Sequence, residues 1–484
     1  MLWQIVAREI HDHLLSLRFA LTIPLFLILM ILNAVGHGTE DQEARLQDYH
    51  KNRINSISAL THHTDSLYEL VLHGPGALHK KPTSLTFCAS QSEEFLPELV
   101  LAERGHGSTS SFIREEGSFT YSYEEIWRLN YPQSQPQLWK ILPDFVKIDW
   151  AFVIGYILSL VALLFTFDAI SGEREQGTLR LIMSNTVPRD VLLIGKVLGA
   201  FVSIAAPLLI AVGINLFWLS TSGTIQLTGS EWARLGVILL IGLLYLCLFL
   251  TLGLLVSICV HRSSVSLMIL LLIWTIWVVL IPSALGLILS GYHGTMTSDE
   301  LRARRKALHE RLDTQYSARG RRPPTRELPL TAATRVWGEY ICEKAKLDER
   351  LNQEHLTSQI SQVQFARNIS RISPASIVRY AIESLAGTGF PRHLQFLAHV
   401  KSYAAGFRAF LVETDLADPD SPHAIGVIEG TSEKPVNFAS IPKFEDKMTF
   451  SDDFNKALSD ILLLLLFVLV LFSGAYVALL LMDF

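Results

Sequence analysis

The stretch Phe167–Asp190, "FDAISGEREQGTLRLIMSNTVPRD", crowds seven charged side chains between two long apolar runs. Gly172, four further residues, then Gly177 and Thr178 approximate the spacing of a phosphate-binding loop, in which backbone N–H groups cradle phosphates. The lysine that would reach those phosphates is missing, and Glu173 and Glu175 would repel them. No G-x-x-x-x-G-K-S/T motif occurs elsewhere, so ATP chemistry is expected only in another chain. Histidine offers no better centre. His11 and His13 point in different directions on a helix, and in "THH" (His62, His63) no Cys or carboxylate stands at ligand spacing around His62. With neither G-x-S-x-G nor H-E-x-x-H present, no catalytic residue, metal ligand or resident cofactor is expected, and an intramembrane hydrolase is disfavoured.

The elements that must position the charged turn are membrane spans. Half of the 484 residues are hydrophobic and only 18% are charged, a composition unusual for a soluble domain. Crossing about 30 Å of hydrocarbon takes roughly 17 to 25 apolar residues. Six runs reach that length: 19–36, 150–167, 197–219, 235–260, 265–290 and 461–482. None of the six contains an acidic or basic side chain. Ion-coupled transporters normally carry ionisable groups at membrane depth, so the energy for any transport is expected from outside the spans.

Residues 1–18 place Trp3, Val6, Ile10, Leu14 and Leu17 on one helical face, which predicts an amphipathic helix lying at the membrane surface. The first run is too long for a signal-peptide core and lacks a small-residue cleavage pattern. Arg8 and Arg18, the basic residues of the turn (Arg174, Arg180, Arg189, Lys196) and His261-Arg262 flank the spans on one side. The positive-inside rule then puts both termini and the turn in the cytoplasm, with 37–149 and 291–460 outside. The net charge of −5 adds little, because it sums compartments that never meet.

Alternating segments such as "SLTFCAS" and "SFTYSYEEI" between prolines predict a small α+β module in 37–149. The second segment reads as mainly helical, with a long helix from about Ala332 to Ile372. Its basic cluster, Arg302 to Lys306 and Arg319 to Arg322, reads as a solvated face rather than a binding patch for an anionic polymer, and no nucleic-acid partner is expected. Cys88 and Cys342 lie one in each outer segment, where an oxidising compartment permits a disulfide that sequence alone leaves open.

Between the spans, Gly172 and Gly177 bracket "EREQ", and Leu179, Ile182 and Met183 share a helical face before Pro188 opens the next span. That predicts a short cytoplasmic helix over 168–190, fixed at both ends to membrane helices. Spacing alone leaves open whether it transmits force or merely anchors a loop.

The sequence from Ser159 to Gly199 resembles the signature of type-2 ATP-binding-cassette (ABC) permeases: an acidic residue, Gly-Glu-x-Glu-x-Gly-Thr-Leu, a Leu-rich helix, a Pro and a Gly-Lys. The resemblance extends to a subgroup with large extracytoplasmic insertions, through "KPTSLTFCAS" and "NISRISPASIVRYAIESLAGTG". It implies a six-span α-helical permease whose coupling helix docks on a separate ATPase subunit that binds ATP and Mg. Gly172, Glu173, Arg174, Glu175, Gly177, Thr178, Leu179 and Arg180 are then the implied contact region. It further implies a second permease subunit, identical or not, an exporter in the bacterial inner membrane, and outer domains that meet a periplasmic or outer-membrane partner. The rival reading is a membrane-anchored envelope assembly protein without transport activity.

Overall fold

The computed structural model describes residues 2–37, 39–90, 96–104, 109–114, 117–122, 126–131, 148–179, 188–221, 227–284, 296–321, 332–427 and 430–482. Among them, six helices are long and apolar enough to cross a membrane. The protein is an α-helical polytopic membrane protein with a small sheet.

The N-terminal helix α1 (Leu2–Leu14) stops one turn before the end of the predicted surface helix, because Ser16 caps a new helix by accepting from Phe19 N at 3.3 Å. That helix, α2 (Leu17–Gly36), is the first span. In the first polar segment α3 (Thr39–His62) and α4 (Leu67–His73) precede β1 (Gly76–His79), β2 (Leu99–Arg104), β3 (Thr109–Arg114), β4 (Gly117–Ser122) and β5 (Trp127–Asn130). Strands β1, β2 and β5 form an antiparallel sheet in the order β1-β2-β5, with Gly76 opposite Ala102 and Ala102 opposite Leu129, while β3 and β4 pair as a separate hairpin.

The second span, α5 (150–166), contains a π-helical stretch at Val153–Leu158. Tyr245 OH and Ser159 Oγ both donate to the Gly155 carbonyl there, each at 2.8 Å, a frequent means of satisfying a wide turn. The remaining spans are α7 (Arg189–Thr221), α8 (Gly229–Cys259), α9 (Ser263–Ala284, with a second π-helical stretch at Thr275–Leu280) and α14 (Phe450–Leu480); a short helix, α6 (Ser171–Glu175), follows α5. Trp274 Nε1, at the edge of the second π stretch, donates to Ser159 Oγ at 2.9 Å, next to the first.

Several helices outrun their apolar sequences, and their charged ends are paired. Arg234 of α8 meets Asp453 of α14 at 2.7 Å, and Arg371 meets Asp460 at 2.6 Å. Asn33, Asn215 and Trp150 tie three spans together: Asn215 Nδ2 donates to Asn33 Oδ1 at 2.9 Å, Asn215 Oδ1 accepts from Trp150 Nε1 at 3.2 Å, and Asn33 Nδ2 donates to the Phe87 and Ile148 carbonyls. A fully satisfied buried network of this kind fixes helix register.

The second polar segment supplies α10 (Ser298–Ala318), α11 (Ala332–Ser370), α12 (Pro374–Ala386) and α13 (Phe390–Leu416). The two polar segments share one core rather than forming separate modules. Leu67, Leu70, Leu78, Val100, Trp127 and Leu129 of the first pack with Phe396, Val400 and Phe407 of the second. The basic cluster of the second is largely paired: Arg304 with Glu354, Arg305 with Asp348, Arg319 with Glu339 and Arg321 with Asp313.

The bridge left open between Cys88 and Cys342 does not form; both are free thiols. Cys88 is buried with the span-facing core beside Phe87, and burial, with the nearby Asp149 carboxylate, pushes its thiol well up. Cys342, on α11, donates to the Ile425 carbonyl at 3.4 Å.

Candidate functional site

The charged turn begins where α5 ends, and its geometry is set by neighbours on nearly every other span. Arg18, at the start of α2, forks onto Asp168 with contacts of 3.0 and 2.6 Å and also donates to the Leu164 carbonyl at 2.9 Å. A bidentate pair of this type is both strong and orienting. Ser257 of α8 accepts from the backbone N–H groups of Ile170 and Ser171, each at 3.0 Å, which satisfies donors that a new helix leaves unpaired. Beneath lies a small apolar core of Ile170, Leu179, Leu192, Leu193, Leu254, Ile258, Ala475 and Leu479.

The implied contact residues divide into two sets. Glu173 points inward: its Oε1 accepts from Lys196 Nζ at 2.8 Å, and the same ammonium meets Glu9 Oε1 at 2.8 Å. Lys196 is 3% exposed, so the triad ties α1, the turn and α7 through one buried cation. Arg174 also turns inward, toward the Val260 carbonyl and Met482 beyond the end of α14. Leu179 is buried, Thr178 Oγ1 donates to the Glu173 carbonyl at 3.2 Å, and Gly172 sits against Asp168, whose Cβ would be 3.2 Å from an added methyl. Glu175, Gln176 and Gly177 are exposed. Glu175 is oriented by Ser263, which donates its backbone N–H at 3.2 Å and its hydroxyl at 2.6 Å. Gly177 takes a left-handed φ of 72°, which lets the chain reverse at the tip. Arg180, Ile182 and Met183 lie outside the described residues.

Sequence reading missed Gln176 at the tip, and Glu9, Arg18, Ser257 and Ser263 as partners. One signal for the Glu9 contact was present. Gly195 and Gly199 flank Lys196 at a four-residue spacing that permits close helix approach, and a methyl on Gly199 would lie 2.5 Å from Glu9 Cβ.

Six spans whose apolar runs carry no ionisable group, gathered around a charged turn, define a multi-pass membrane protein organised about that turn. The sequence comparison agrees: the family model for ABC-2 family transporter proteins matches residues 3–484, and the chain belongs to that family. It is the membrane component of an ABC transporter. Over 58 residues it is 43% identical to the "Probable ABC transporter permease protein NosY" of Pseudomonas aeruginosa. That stretch covers 12% of this chain and 21% of the relative, so the match spans about a fifth of the relative's length.

Proposed function

We propose that the chain is the six-span half of an ATP-driven exporter of the bacterial inner membrane. It pairs with a second permease subunit, and each half docks through its charged turn on a separate ATPase that binds ATP and Mg. Both termini and the turn face the cytoplasm; the body built from 37–149 and 291–460 faces outward, toward an envelope partner. The observation that carries this reading is the division of the turn into a bare tip, Glu175-Gln176-Gly177, and an inward-wired base, with Glu173 on Lys196.

A push on the tip reaches the membrane through that base. Glu173 cannot leave Lys196 cheaply, because stranding a buried charge costs about 3–5 kcal/mol. The turn, α1 and the start of α7 therefore move together. ATP-driven closure of the two ATPases shifts the permease between two packings and changes access to a pathway between the halves.

The test is to purify the chain with its ATPase subunit and substitute the tip. Gln176→Trp, on an exposed side chain, is expected to abolish co-purification and lower ATP turnover at least tenfold while leaving the melting temperature of the chain unchanged. A cysteine at position 176 is expected to react with an impermeant reagent only from the cytoplasmic face. Full docking and turnover in Gln176→Trp would overturn the tip as the docking surface, and failure of the wild type to co-purify with the ATPase would overturn the proposal in favour of the envelope anchor.

A further inference from the structure

The turn between α3 and α4 gathers three ligating side chains that are scattered in sequence. His63 follows the last residue of α3, while Glu69 and His73 stand one helical turn apart on α4. One donor atom from each lies within 4.8 Å of the others. Glu69 Oε2 is 3.2 Å from His73 Nδ1 and 3.9 Å from His63 Nδ1. The two imidazoles stack with centroids 4.1 Å apart and planes at 3°. Both rings line a cavity of about 450 Å³, together with Leu60, Gly74, Ala102 and Arg104.

We propose that His63, Glu69 and His73 form a divalent transition-metal site, with Zn(II) the best-fitting ion and an open coordination position facing the cavity. Two imidazoles and one carboxylate are a borderline donor set that suits zinc, and three protein ligands leave a fourth position free. The neutral imidazole is the ligating form, and burial, followed by the neighbouring His73, lowers the pKa of His63 toward that form despite Glu69. His62 adds to the same lowering. His73 Nδ1 also lies 3.2 Å from the Glu69 backbone carbonyl, so ligation through that nitrogen takes the tautomer that carries its proton on Nε2.

The geometry sets what loading must change. Zinc–nitrogen bonds of about 2.0–2.1 Å place tetrahedral donors roughly 3.3 Å apart, so the trio contracts on binding. An ion cannot lie in the planes of two parallel rings at once, and one ring must therefore tilt out of the stack. The side chains are 26%, 41% and 34% exposed for His63, Glu69 and His73, which leaves room for that rotation.

The site is independent of the transport reading, and its test reads metal alone. The chelator-stripped full chain in lipid nanodiscs is titrated with Zn(II) by calorimetry and with Co(II) by visible absorption, with Mg(II) as the hard-ion control. One equivalent of Zn(II) is expected, with four-coordinate Co(II) bands and no Mg(II) binding. His63→Ala, His73→Ala and Glu69→Gln are each expected to weaken Zn(II) at least tenfold and remove the Co(II) bands, while His50→Ala changes neither. Melting in EDTA shows whether each variant is folded; where an alanine variant is not, His63→Gln and His73→Gln take its place. Unchanged Zn(II) affinity and Co(II) bands in folded trio variants, or no stoichiometric binding by the wild type, would overturn the site.

Discussion

The charged turn and the body built from the two polar segments both bury charge, but they use it differently. In the body, Asp348 gathers Arg128, Arg305 and His309, and Asp446 gathers Arg392, His399 and the Lys81 N–H, beside a broad aromatic core. There the charges supplement apolar packing and lock a shape. Around the turn the apolar core is small, and single residues make the holds: Lys196 joins Glu9 of α1 to Glu173 of the turn, and Ser257 takes two adjacent N–H groups of the turn. A junction with few independent holds moves as a unit, whereas a body with many stays rigid.

The largest expected effect strikes the turn. Lys196→Met leaves Glu9 and Glu173 as two half-buried carboxylates without their shared buried cation, a loss of about 3 kcal/mol. ATP turnover of the purified complex should fall at least tenfold while the body built from the two polar segments keeps its protection in hydrogen exchange. Retained coupling would erase the contrast. Asp348→Asn is the matching change in the body: stranding part of the Arg128, Arg305 and His309 cluster should cost about 2–4 kcal/mol, read as a lower melting temperature, with turnover per folded complex preserved.

Acid sharpens the comparison within the body, because two of its carboxylates shift oppositely. Burial pushes Asp149 up to about 6, against the Phe152 and Ser90 N–H groups that bind its oxygens. Its proton is then bound more tightly folded than unfolded, and stability rises as pH falls from about 6 to about 4, by at most about 1.4 kcal/mol per pH unit. The melting-temperature difference between wild type and Asp149→Asn should therefore shift in favour of wild type between pH 7 and pH 5. Asp348 has the reverse sign. Burial alone would raise its carboxyl, but the His309 hydrogen bond and then Arg128 outweigh that and hold it below the ordinary range. Its contribution is present above about pH 4 and is lost below. The smallest effect belongs to the tip. A methyl on Gly177 meets nothing within 4 Å but must adopt a left-handed φ, so Gly177→Ala should cost about 1 kcal/mol, visible as faster exchange confined to the turn.

Local pattern made the membrane helices and the long α11 legible, because an apolar run of span length or a helical stripe needs no knowledge of the fold. The glycine-bracketed turn was legible as a motif, but the direction of its side chains was not. Glu173 belongs to the implied contact region, and nothing in "GEREQGT" reveals that Lys196, which also holds Glu9, pairs with it. The shared core of the two polar segments escaped because Trp127 and Phe407 are far apart in sequence, and sequence distance hides such packing. His63, Glu69 and His73 escaped for a smaller-scale version of the same reason: a turn, not a helical repeat, folds them together. The π-helical stretches left no trace in hydropathy.

Those stretches carry a consequence for the spans that contain them. One extra residue in a turn rotates all that follows by about 100° about the helix axis. The N-terminal half of α5 thus aims Trp150 at Phe87 and Asn215, while its C-terminal half sets Thr166 in the notch that Gly253 leaves on α8. A single rod thereby serves two differently angled walls, like a key cut on two faces, and straightening it into a regular helix would unseat one wall to keep the other.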